Sequence, residues 1–136
     1  RQSIQLIYGC QTTGTANVSS GINNVSGVRY AIPDNCIIYF HADTIVVRTA
    51  GSSGTGAVGD YASYVERGVI INKSGTASIQ RERDTIKTSG TVTNWRILAA
   101  VGSGNTLALQ CRGNTDQTLE WCMNVTITQI TTNVSL

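Results

Sequence analysis

Four cysteines, one histidine and eight carboxylates are the residues best suited to chemistry in this chain of 136 residues. A structural zinc site needs about four clustered ligands, usually marked by a closely spaced cysteine pair. Cys10, Cys36, Cys111 and Cys122 include no CxxC spacing, and His41 is the only histidine. No metal and no cofactor is therefore expected. A serine or cysteine nucleophile would have to use His41 as its base, yet His41 sits inside a β-branched and aromatic run with no nucleophile elbow anywhere. Carboxylates remain. Asp43, Asp60, Glu66, Glu82, Asp84, Asp116 and Glu120 could supply the two carboxyls about 5–10 Å apart that glycoside hydrolysis needs. Most of them fall in turns or on the polar side of alternating runs. The expectation is a protein that is not an enzyme, with a polysaccharide-degrading domain as the weaker alternative.

The elements that must position these residues read as strands. Residues 3–10, 28–32, 36–49, 61–72, 76–81, 84–88 and 92–101 are short runs rich in β-branched and aromatic side chains, separated by Gly, Asn, Asp and Ser. The run 36–49 is one long strand or two joined by a bulge at residues 41–43. In 61–72, Tyr64, Glu66 and Gly68 share one parity and Val65, Arg67 and Val69 the other. No segment has a convincing helical period. Strands about every ten residues with turn punctuation predict an all-β fold: a single-domain antiparallel β-sandwich or jelly-roll-like domain over 1–136. The glycine-rich stretch 50–60 lacks the Gly-Lys-Ser/Thr ending of a phosphate loop and reads as a flexible surface loop.

The last two runs carry a cysteine each. Leu107, Leu109 and Cys111 share a parity, as do Leu119, Trp121, Met123, Val125 and Ile127. Read as a hairpin across 112–118, they pair Leu109 with Trp121, Leu107 with Met123 and Cys111 with Leu119. Cys122 then points to the opposite face, so no disulfide joins Cys111 to Cys122. Both are expected as small buried apolar residues. Cys10 and Cys36 could meet in space, although free thiols and assembly in a cytoplasm are favoured. Five N-x-S/T sequons, at Asn17, Asn24, Asn72, Asn124 and Asn133, stand against that compartment. Trp95 and Trp121 are expected in the core.

Charged residues make up 13% of the chain and the net charge is +2, with Ser, Thr, Asn and Gly filling the usual share of about a quarter. The basic residues look scattered, and the run Arg81-Glu82-Arg83-Asp84 neutralises itself. Neither nucleic acid binding nor membrane insertion is expected, since no apolar run approaches the ~20 residues of a bilayer span. The Arg start suggests a fragment of a longer protein, and no leader pattern precedes the first strand.

A resemblance gathers these pieces. Leu6-Ile7-Tyr8-Gly9 with Thr12-Thr13, then Ile32-Pro33-Asp34-Asn35 and a run ending Thr44-Ile45-Val46-Val47-Arg48-Thr49, are similar to a recurring series in bacteriophage tail-fibre and tailspike proteins. The series continues with a strand like 61–71, then Ser74-Gly75-Thr76-Ala77-Ser78, then Asn94-Trp95-Arg96-Ile97-Leu98-Ala99. It closes on Leu107-Ala108-Leu109-Gln110, Gly113 and Leu119-Glu120-Trp121-Cys122-Met123-Asn124-Val125. The order covers nearly the whole chain. The cysteines depart from it, standing where Thr, Ala or Val is usual. The resemblance implies a β-sandwich module near the C-terminal end of a trimeric fibre or spike in the virion, assembled in the host cytoplasm. It implies a homotrimer, with attachment to a host-surface glycan or a purely structural role in holding three chains in register. Sugars stack an apolar face on aromatic rings and bond their hydroxyls to carboxylates and amides. Asp60, Tyr61 and Tyr64, beside the glycine loop, are the candidate ligand-binding residues.

Overall fold

The computed structural model describes residues 1–90, 92 and 94–136, and among them there is no α-helix. Ten strands follow in chain order: β1 (Gln2–Thr12), β2 (Val18–Ser19), β3 (Gly21–Ile22), β4 (Tyr30–Ala31), β5 (Cys36–Ala50), β6 (Tyr61–Lys73), β7 (Thr76–Thr88), β8 (Arg96–Gly102), β9 (Thr106–Arg112) and β10 (Thr118–Thr131). Six of them form a large sheet in the order β3-β1-β10-β5-β6-β7. The small sheet is built on β9, which pairs with β8 along its length and with β2 and β4 at its two ends. Every pairing between these strands is antiparallel. The two sheets enclose one core, so the chain is a single β-sandwich.

Alternation explains which side chains enter that core. Along β10, Leu119, Trp121, Met123, Val125 and Ile127 are buried, and along β5, Cys36, Ile38, Phe40, Ala42 and Val46. The small sheet contributes Ile97, Ala99, Leu107, Leu109 and Cys111 from the other side. Burying each large aliphatic or aromatic side chain contributes about 1.5–3 kcal/mol. Both indoles find partners: Trp95 Nε1 donates to Gln117 Oε1 at 3.2 Å and Trp121 Nε1 to Thr12 Oγ1 at 2.9 Å. Burial alternates through β5 without interruption, so no bulge interrupts it at 41–43. The runs 76–81 and 84–88 join into one strand, β7, whose register with β6 slips between Ser63 and Tyr64. The expected strand at 92–101 begins only at Arg96, and residues 91 and 93 lie outside the described residues.

The hairpin expected from residues 107–127 does not form. β9 lies in the small sheet and β10 in the large one, between β1 and β5. Leu109 pairs with Ala99 and Trp121 with Cys10 and Val46 instead. The physical reason is that alternation states which face of a strand is dry, not which strand lies beside it. Two dry faces can be neighbours in one sheet or opposed across a sandwich, and here they are opposed. The actual tight hairpins are β6–β7, turned by Ser74 and Gly75 at φ 53° and 88°, and β8–β9, turned at Gly104 and Asn105. Consecutive positive φ values suit the twist of paired strands.

The thiols follow the corrected topology. Cys111 is buried and Cys122 is exposed on the outer face of the large sheet, so only the first is a core residue. All four cysteines are free. Cys10 meets Cys111 rather than Cys36: burial, reinforced by a hydrogen bond with Cys10, holds the Cys111 thiol well above its usual range. Burial also raises Cys36, opposed by a hydrogen bond with Thr131.

Candidate functional site

Asp60 immediately precedes β6, Tyr61 and Tyr64 stand at its start, and strand alternation separates the two tyrosines. Tyr61 lies on the outer face of the large sheet and is 44% exposed. Tyr64 points inward and is 4% exposed; its hydroxyl donates to the Trp95 carbonyl at 3.2 Å, and the Arg83 guanidinium lies 5.8 Å from its ring centroid. Burial raises the Tyr64 phenol, partly offset by the charge of Arg83. The Asp60 carboxylate accepts from the Ala57 amide at 2.9 Å and from Ser89 Oγ at 3.2 Å. One residue of the three, Tyr61, therefore offers an open ring.

The glycine loop beside them is held by the protein. Arg48, 1% exposed, donates to the carbonyls of Gly51 at 2.8 Å, Thr55 at 3.1 Å and Ser53 at 3.2 Å. Gln117 reaches the Ser53 carbonyl as well, and Ser53 Oγ donates to Asp116. Gly51 carries φ 98°, and a side chain there would strike the Asp116 carbonyl. The loop expected to be free to adapt is bound along its inner side. Sequence reading missed this because a charged residue in a β-rich run, Arg48, is ordinarily placed on a wet face.

Around Tyr61 the outer face is apolar. Ile45, Val47, Tyr61, Ser63, Glu120 and Cys122 line a shallow concavity of about 340 Å³. A second hollow of about 500 Å³ continues across Ile45, Val65, Ile86 and Cys122. At the opposite end, Ile130, Ile37 and Ile71 stand in one row across β10, β5 and β6, next to Tyr39 and Val69. Between the two ends runs a polar belt. His41 meets Asp43 at 2.9 Å, and Arg67 holds Glu82 at 2.7 Å and Asp84 at 3.0 Å.

The remaining carboxylates are also engaged. Glu66, 0% exposed, accepts a bidentate pair from Arg81 (Nε at 2.6 Å, Nη2 at 2.9 Å) and the Ala99 amide at 2.6 Å. Glu120 accepts from Gln11 and Asp116 from Ser53. Among the sequons, Asn72 is buried, its amide donating to the Ile32 carbonyl at 3.0 Å.

No family model and no curated protein matches this chain. What the chain does must therefore be argued from its own surfaces. Among the described residues, no group of three or more His, Cys, Asp or Glu side chains could hold a metal ion, and no helix is long and apolar enough to cross a membrane.

Proposed function

We propose that this chain is an attachment module of a bacteriophage tail fibre or tailspike, in which three copies associate and the assembly engages a glycan on the host surface. The observation that carries the reading is the outer face of the large sheet. In an antiparallel sheet with one wet side, that side is ordinarily polar. Here Ile45 is 63% exposed, Ile86 62% and Ile130 52%, with Ile37, Val47, Tyr61 and Ile71 also open. Open apolar rows at both ends of one sheet face mark it as a contact surface. Strands β5, β6 and β10 have 15, 13 and 14 residues. With β1 and β7 beside them, they present roughly 24 Å by 40 Å at ~4.8 Å per strand and ~3.3 Å per residue. The whole face, its polar belt included, is on the order of 950 Å², enough for the ~800 Å² per partner of a standard interface with apolar ends and a polar middle. The low charge of the chain and its resemblance to fibre and spike modules support the same reading.

A purely structural trimerisation module is the second reading, and the burial of Tyr64 together with the engaged Asp60 carboxylate favours it at this rim. Tyr61→Ala separates the two. As an attachment residue, Tyr61 supplies a stacking ring, and its loss weakens oligosaccharide or cell-surface binding by about 1–3 kcal/mol with the melting temperature nearly unchanged. As an interface residue, its loss lowers the oligomer mass in light scattering and leaves binding by the surviving oligomer intact. A wild-type chain that stays monomeric at high concentration and binds no glycan on an array would sink the proposal.

A further inference from the structure

Strand alternation undoes the self-neutralising appearance of Arg81-Glu82-Arg83-Asp84. Glu82 and Asp84 turn to the outer face of the large sheet, where both are taken by Arg67. Arg81 and Arg83 turn the other way, toward the free edge of β8. Arg83 Nη1 donates to the Ile97 carbonyl at 3.3 Å, and Glu66 accepts the Ala99 amide, so Arg83 and Glu66 satisfy an edge that no strand pairs among the described residues. Arg81, Arg83, Arg96 and Leu98 line a cleft of about 300 Å³ at the seam between the sheets.

The cleft is richly cationic. Glu66 neutralises Arg81 through Nε and Nη2, leaving Nη1 of that fork over. Arg83 and Arg96 have no carboxylate among the described residues. Arg96 lies directly opposite Arg112 in the β8–β9 register, a like-charge cross-strand pair, an arrangement that destabilises a sheet when nothing offsets it. No strand of the small sheet contains Asp or Glu. The Nε atoms of Arg96 and Arg112 are both buried without a hydrogen-bond partner. Guanidinium groups bind a planar or tetrahedral oxyanion through paired N–H bonds, and those of Arg83 and Arg96 have no carboxylate partner among the described residues.

We propose that this cleft binds the carboxylate or sulfate group of an acidic saccharide, with Arg83 and Arg96 as the principal donors and Arg112 adding charge beside them. The proposal rests on the glycan-attachment reading and names the class of glycan. Leu98 gives the pyranose ring an apolar contact next to the charged group.

The test is calorimetric titration of the intact chain with a uronate-containing hexasaccharide, its carboxyl-reduced neutral counterpart, a sulfated hexasaccharide and inorganic sulfate. At least one acidic hexasaccharide is expected to bind at least tenfold more tightly than the neutral one, with affinity falling as salt rises. Arg96→Gln should lower that affinity tenfold or more, and Arg96→Lys, which keeps the charge but not the fork, by less. Arg83→Gln provides a second reading if Arg96→Gln does not fold. Equal binding of acidic and neutral saccharides, untouched by the Arg83 and Arg96 changes, would overturn this cleft and leave glycan attachment standing. Inorganic sulfate binding as tightly as the hexasaccharides would make this a site for free oxyanions and overturn the saccharide assignment. Absence of binding by every saccharide would overturn both readings.

Discussion

Glu66 joins the two sheets through one carboxyl group, taking Arg81 from β7 and the Ala99 amide from β8. Glu66→Gln keeps one acceptor oxygen but turns an NH₂ group toward donors. It is expected to cost about 2–3 kcal/mol, toward the lower end for a broken buried pair because Arg81 is partly wet. Urea denaturation checks this, and a loss under 0.5 kcal/mol would mean that water replaces the carboxylate easily. Tyr8 shows the complementary case of a buried neutral group. Its hydroxyl donates to the Leu107 carbonyl at 3.0 Å and accepts from the Tyr30 amide at 2.8 Å. Burial raises the phenol from 10.0 to about 12, opposed by the Tyr30 hydrogen bond and the charge of Arg29. Between those values the unfolded chain gives up the proton and the folded chain keeps it, so unfolding is favoured as pH rises. The full stability persists below pH 10.0 and is lost through about pH 12, a change of about 3 kcal/mol at ~1.4 kcal/mol per unit. Denaturation midpoints of wild type and Tyr8→Phe from pH 9 to 11.5 should converge as pH rises; parallel curves would refute the assignment.

Strands expose what alternation can and cannot reveal. Parity placed Tyr64, Glu66 and Gly68 on one side of β6, and the structure keeps Tyr64 and Glu66 together on the buried side. It could not say which side was dry, because Val65 and Val69 made the other file look more apolar than the one containing Glu66. The same limit hid the arginine cleft, since a run that balances its charge in sequence segregates it when every second residue reverses direction. It also hid the opposition of β9 and β10, as both arrangements satisfy one pattern. The sandwich class, the long β5 and the buried indoles were legible because each follows from local period and composition. Gly68 illustrates a tight point between strands. A methyl group there would sit 2.2 Å from the Gln80 carbonyl oxygen and 3.0 Å from Phe40. Gly68→Ala should therefore force β6 and β7 apart and cost about 1–3 kcal/mol or more. Hydrogen exchange would show lost protection at the β6–β7 pairing near Arg81, and unchanged protection would contradict the predicted clash.

The whole molecule presents two unlike faces: the small sheet, with its arginines and no acidic residue in any strand, and the large sheet, with apolar ends and a polar belt. If copies associate through the large sheet, Ile45→Asp puts a charge into the contact while leaving the core alone. The expected result is a fall to the 14.5 kDa monomer in light scattering, with a melting temperature lowered only by the loss of association. An unchanged mass would exclude this part of the face. Large-sheet topology also dictates an order of events. β10 is the last strand in sequence but lies between β1 and β5, with Gln2 facing Gln129 and Cys36 facing Thr131. Closing so long a loop precedes the contacts that reward it, which places the chain among slow folders. On the ribosome, β5, β6 and β7 can pair early, but β5 keeps an open edge until residue 131 has been made. An open edge of that length is a template for a neighbouring chain. The polysome is thus a place where this protein is exposed to misassociation, and slower growth at lower temperature should raise its soluble yield.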